Sequence, residues 1–191
     1  MAVPYGFRFD CGRTCLDLVA TAGAGPAAGE LLTGPAPLAA WLAGAAVVPP
    51  GAPLDGVDAR WVARFRALRE LLGRVVRAEL LGRAAASDLA ELNSAAAAPP
   101  PAVHLVRGPD GALAGALAAP PDCAGLLAAV ARDAVALLAD PVARGRLRQC
   151  AGCSLVYLDT SRGRRRRWCS SEVCGNRARV ARHRRRTGRS A

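Results

Sequence analysis

Cys150, Cys153, Cys169 and Cys174 stand in the pattern C-x2-C-x15-C-x4-C. Two close pairs of thiols separated by roughly fifteen to twenty residues suit a tetrahedral ion, because each pair grips the metal from one side and the intervening chain brings the pairs together. Sulfur at every position leaves no place for a reactive water, so this set is expected to hold one structural Zn2+. A module of about forty residues has too small an apolar core to fold alone, and structural zinc supplies on the order of 10 to 16 kcal/mol. The remaining cysteines, Cys11, Cys15 and Cys123, offer no second set of paired ligands and read as buried thiols.

The same stretch is cationic. All 26 basic residues are arginine; 15 of them lie in residues 144–191 against only Asp159 and Glu172, a net of +13, while residues 1–143 carry 11 arginines against 13 acids, a net of −2. A single-sign block of this density favours a polyanion, because each arginine that neutralises a phosphate releases a condensed counterion. DNA is therefore the expected partner. The candidate contacts are Arg164, Arg165, Arg166 and Arg167 ahead of the third cysteine, and Arg179, Arg182, Arg184, Arg185 and Arg186 after the fourth. At about 100° per residue the second group covers most of a helix circumference, which favours phosphate contact over base readout. Asn176 and Arg177 directly follow the last ligand and are expected to brace the metal knuckle from its second shell; base readout is the alternative. Thr187 to Ala191 are expected to fray.

Elements must position these groups. Leu155 to Leu158 reads as a strand, with a turn near Ser161 to Gly163 and a return strand ending at Trp168. Ser170 or Ser171 then caps a helix with Glu172 in its first turn and Cys174 near its N-terminus. Knuckle, hairpin and helix make a treble-clef-like zinc finger, with Tyr157 and Trp168 in its small core. Upstream, Phe7 to Phe9 reads as a short strand leading into a strand or helix start at Cys15 to Ala20. A short helix surrounds Trp41, and the strongest helix spans 58–83, with Val62, Phe65, Leu68, Leu72, Val75 and Val76 on one stripe. Ser87 is expected to cap a further helix through Leu92, and a β-hairpin turns at Gly108 to Gly111. A last helix presents Leu126, Leu127, Val130, Ala134, Leu137 and Leu138 and stops before Pro141.

The fold class is therefore α+β: a mostly helical module with a small β-hairpin over 1–143, followed by the zinc finger over 144–191. The first module shows no phosphate loop, carboxylate pair or nucleophile motif, and is expected to sense a small-molecule effector or to mediate homodimerisation. No enzyme is expected. A treble-clef nuclease would need a histidine in the finger hairpin, where there is none. A zinc module that binds RNA or protein is the other alternative to DNA binding. The N-terminus lacks an apolar signal region, and no segment offers eighteen uninterrupted apolar residues, so a cytoplasmic protein without a membrane anchor is expected.

The stretches "RRWCS" and "CGNRARVARHRRR", downstream of the first cysteine pair, resemble the CGNR zinc finger over about residues 144 to 189. The segment "FRFDCGRTCLDLVAT", followed by "ELL", "LAAWL" and "LRELL", resembles the ABATE domain that precedes that finger, although Cys11 stands where the family commonly has glycine and Ala20 where it has asparagine. The resemblance implies zinc on the four cysteines, DNA as partner, and a role in stress-induced transcription regulation.

Overall fold

The computed structural model describes residues 4–23 and 29–187, with side chains as far as Arg185. Asp58 starts its longest helix: the carboxylate accepts from the backbone N–H of Trp61 at 2.9 Å, and α3 (Ala59–Glu79) follows. The expected stripe Val62, Phe65, Leu68, Leu72, Val75 and Val76 is buried throughout. Against it pack α1 (Thr14–Ala20), α2 (Pro35–Gly44), α4 (Ala86–Ala95) and α5 (Cys123–Ala139). Asp122 caps α5 through the Gly125 N–H, and α5 ends at Asp140 as Pro141 requires. Asp140 at once caps the short α6 (Pro141–Arg144) through the Val142 N–H.

Helix α1 lies at the centre, with Cys15 to Ala20 all buried. Cys11, Cys15 and Cys123 are buried as expected, and none of them joins the four clustered thiols. Arg13 and the Cys15 N–H share Asp133 of α5, which ties α1 to that helix.

Two antiparallel hairpins complete the fold. In the first, β1 (Val103–Arg107) pairs with β2 (Leu113–Leu117), turning at Gly108 to Gly111 as expected. In the second, β3 (Leu147–Gln149) pairs with β4 (Val156–Leu158), with Leu147 opposite Leu158 and Gln149 opposite Val156. One hydrophobic cluster runs from Phe7 and the helices through to Leu147, Val156, Tyr157 and the cysteines of the knuckle.

Three local expectations differ. Phe7 to Phe9 belongs to no strand; the segment ahead of α1 is irregular and docks on β4, where the Leu158 N–H donates to the Cys11 carbonyl at 2.8 Å. Ser87 is no cap: Ala85 stands at the N-cap, without a side-chain hydrogen bond, and α4 runs on to Ala95. The strand partner of Leu155 to Leu158 is not the segment ending at Trp168 but β3, which precedes the first cysteine pair. Asp159 prevents the return strand, because its carboxylate accepts from Ser161 N–H, Ser161 Oγ and Arg166 N–H and folds the chain into a compact loop. Arg164, at φ +49°, breaks the extended run as well.

Candidate metal centre and cationic surface

The knuckle is the turn of the β3–β4 hairpin. Cys150 N–H donates to Leu155 O at 2.8 Å and Ser154 N–H returns to Cys150 O at 3.0 Å, which folds Cys150 and Cys153 toward each other. Ser154 takes the left-handed φ of +61° that the tight return needs. The loop after β4 then delivers the second pair: Tyr157, fully buried, donates its hydroxyl to Arg166 O at 2.6 Å, and Ala151 N–H donates to Arg167 O at 2.9 Å. Trp168, half-buried, packs beside Gly152 and Gly175, the core role expected for it. Ser170 is the cap, its Oγ accepting from Glu172 and Val173 N–H at 3.2 Å each. A single wide turn, Ser171–Gly175, carries Cys174 inward before α7 (Asn176–Thr187) begins.

The four Sγ atoms all lie within 4.8 Å of one another. Cys153 and Cys169 are 3.6 Å apart, and Cys169 and Cys174 3.8 Å. A zinc tetrahedron with bonds of ~2.3 Å has sulfur–sulfur edges of about 3.8 Å, so the set fits one ion with small shifts of the longer-separated sulfurs. Cys150, Cys169 and Cys174 are buried and Cys153 is half-buried. Burial pushes the Cys150 thiol up, but N–H groups of Cys169, Gly152 and Cys153, with the Cys153 thiol, outweigh it and bring it down to about 7. Such a sulfur is readily a thiolate, the form a metal binds. With every position filled by sulfur, the ion's chemistry is structural: it ties the hairpin to the turn that launches α7.

The expected outer donors are placed elsewhere. Asn176 and Arg177 are exposed, and among the described residues neither side chain donates to a cysteine, because the wide turn rotates them outward past Gly175. The guanidinium that reaches a sulfur is Arg8, whose Nη1 donates to Cys169 Sγ at 2.9 Å. Nothing in the sequence points to it: Arg8 is 161 residues from its partner, and only the docking of the N-terminal segment joins them.

The candidate phosphate contacts also divide. Arg166 is turned inward: its guanidinium donates to the carbonyls of Trp168 and Cys169 and lies over the Tyr157 ring, 5.0 Å from the centroid. Arg164, Arg165 and Arg167 are exposed on the loop, Arg167 stacking on Trp168 at 5.3 Å. Arg165 and Arg167 line, with Trp168, Ser161 and Ser171, a depression of about 310 Å3. Along α7, Arg179, Arg182, Arg184 and Arg185 are exposed; the Arg186 side chain lies outside the described residues, as do residues 188–191 of the expected fraying end. Among the described residues, none of Arg164, Arg165, Arg167, Arg179, Arg182 or Arg185 pairs with a carboxylate. Several arginines of the helical part are paired: Arg13 is held by Asp133, Arg69 by Glu30, and Arg74 by Asp88 and Glu91, whereas Arg60, Arg64, Arg77 and Arg83 are exposed.

A helical body joined to a hairpin-and-helix unit with four converging thiols defines a zinc-finger protein. A model of the CGNR zinc finger matches residues 146–187, covering all four cysteines. The ABATE model, described as "Putative stress-induced transcription regulator", matches residues 12–141, more than half of the chain, and the protein belongs to that family. No curated protein matches the chain. No helix among the described residues is long and apolar enough to cross a membrane.

Proposed function

We propose that this protein is a DNA-binding transcription regulator in which one zinc ion shapes residues 144–191 into a device that grips phosphates. The observation that carries this reading is the density of unneutralised arginine on one surface: Arg164, Arg165 and Arg167 on the loop and Arg179, Arg182 and Arg185 along α7 are exposed and, among the described residues, none of them pairs with a carboxylate, beside a metal centre that fixes where both segments lie. Arginine's planar fork bridges phosphate oxygens, and a helix with cations around its circumference can follow a duplex backbone without reading bases. Residues 1–143 act as the sensing or dimerising module. A cleft of about 250 Å3 between α3, α4 and α5, apolar along Leu68, Leu71 and Leu127 with Arg64, Glu91 and Ser94 among its lining, supports a small effector there.

A salt titration tests the reading. Affinity of the zinc-loaded protein for duplex DNA is expected to fall with log[salt] at a slope of about −0.9 per phosphate neutralised, several units in all. Arg179→Ala and Arg182→Ala should each lower that slope by about 1 and weaken unrelated duplexes alike. Absence of duplex binding at low salt overturns the proposal. Tighter binding to structured RNA at equal ionic strength would move the partner to that class.

A further inference from the structure

We propose that Arg8, in the segment ahead of α1, is an outer-sphere partner of the zinc centre, so that metal retention by the finger depends on the N-terminal segment being docked. The inference rests on zinc being held by the four cysteines and not on what the finger binds.

Every nitrogen of the Arg8 guanidinium is engaged. Nη1 donates to Cys169 Sγ at 2.9 Å and Nη2 to Cys169 O at 3.3 Å, while Nε and Nη2 hold the Asp10 carboxylate at 2.9 and 2.8 Å. The bidentate grip on Asp10 fixes the plane of the group, so the bond to sulfur is aimed in advance. The backbone beneath is anchored as well: Phe7 and Cys11 are buried, Leu158 N–H donates to Cys11 O at 2.8 Å, and Gly12 lies flat against Leu158. Arg8 thus reaches the metal from the far end of the chain, on a segment seated on the same β4 that leads out of the knuckle.

The charge balance gives that reach its use. Four thiolates around Zn2+ leave a net charge of −2 in a largely buried site, which needs compensating cations. Arg8 brings positive charge to the sulfur itself, with Asp10 on its other edge offsetting part of it, and Arg166 brings more at the Cys169 carbonyl, so both guanidinium groups converge on one ligand. Charge-assisted bonds of this kind stabilise the thiolate form against leaving the metal, and outer partners of metal ligands carry about 10 to 100-fold in affinity. The coupling is reciprocal: a bound ion also strengthens the seat of the N-terminal segment.

The experiment measures zinc transfer from the full-length, zinc-loaded protein to a colorimetric chelator. Arg8→Ala is expected to release zinc about 10 to 100-fold faster than the unaltered protein, with Arg8→Lys between the two. Arg8→Met fills the same space without a donor and should behave as Arg8→Ala. Cobalt(II) substituted for zinc provides a readout that packing alone would not move: Arg8→Met should shift the thiolate-to-cobalt charge-transfer band. Unchanged release from Arg8→Ala overturns the proposal, and so does Arg8→Met if it keeps both the release rate and the cobalt spectrum of the unaltered protein.

Discussion

At the scale of single residues, the environment of a side chain decides what its type can do. Arginine in this chain is a strut when a carboxylate or carbonyl faces it from the interior, as for Arg69 and Arg166, and a solvent-facing cation when it lies on the surface, as for Arg165 and Arg182. Asp17 shows the same dependence. It is 7% exposed in α1, accepts the Cys11 N–H at 2.9 Å, and burial pushes its carboxyl up to about 6 against that hydrogen bond, with Asp10 and Asp133 adding to the rise. A folded value above the unfolded one of about 3.9 means that the native state holds the extra proton between those two values. Stability from this group is therefore present at low pH and lost as pH rises toward about 6, after which the buried charge is a constant cost. Asp17→Asn keeps the acceptor and removes the charge, so its stability relative to the unaltered protein should be more favourable at pH 7 than at pH 4.5. Paired urea titrations of the zinc-loaded proteins measure this, since proton competition for the thiolates is common to both; an equal difference at the two pH values contradicts it.

At the scale of elements, the long helices, the β1–β2 hairpin and the strand β4 were legible, and the partner of β4 was not. The stripe from Val62 to Val76 and the stop at Pro141 are local signals that tertiary packing had only to confirm, whereas the caps Asp58, Asp122 and Asp140 emerged from the structure. The strand β3 has three residues, too few for alternation to show, and the expected return strand lost to the loop drawn around Asp159. Phe7 to Phe9 read as a strand because aromatic and polar residues alternate; the segment instead runs irregularly, with Cys11 and Gly12 on β4 and Arg8 on the metal-site loop. Gly12 makes that docking feasible. It has φ +92°, and a Cβ there would lie 2.9 Å from Leu158 Cβ, an atom that cannot swing aside. Gly12→Ala is expected to cost about 1 to 3 kcal/mol in a urea titration of the zinc-loaded protein. An alanine variant as stable as the original would show that the segment can shift on β4 without loss.

For the molecule as a whole, the hydrophobic cluster is continuous from the helices into the finger, yet the two regions draw on different sources of order. Helices α1, α3 and α5 bury their own stripes, whereas the knuckle surrounds only a few apolar side chains and relies on the ion. Chelation of zinc is expected to speed amide exchange at Cys150, Ser154 and Leu158 while α3 and α5 keep their protection, as mass spectrometry or NMR would record. Loss of protection in all elements together would mean that the metal holds the entire fold. The sequence alone determined the thiol set, the polarity of charge along the chain and the long helices, because ligand spacing, net charge and helical periodicity are properties of neighbouring residues. Which arginines face solvent, which strand closes the knuckle and which cation reaches a metal ligand were decided only by tertiary structure. Those depend on contacts between residues as far apart as Arg8 and Cys169, and no local pattern carries such a contact.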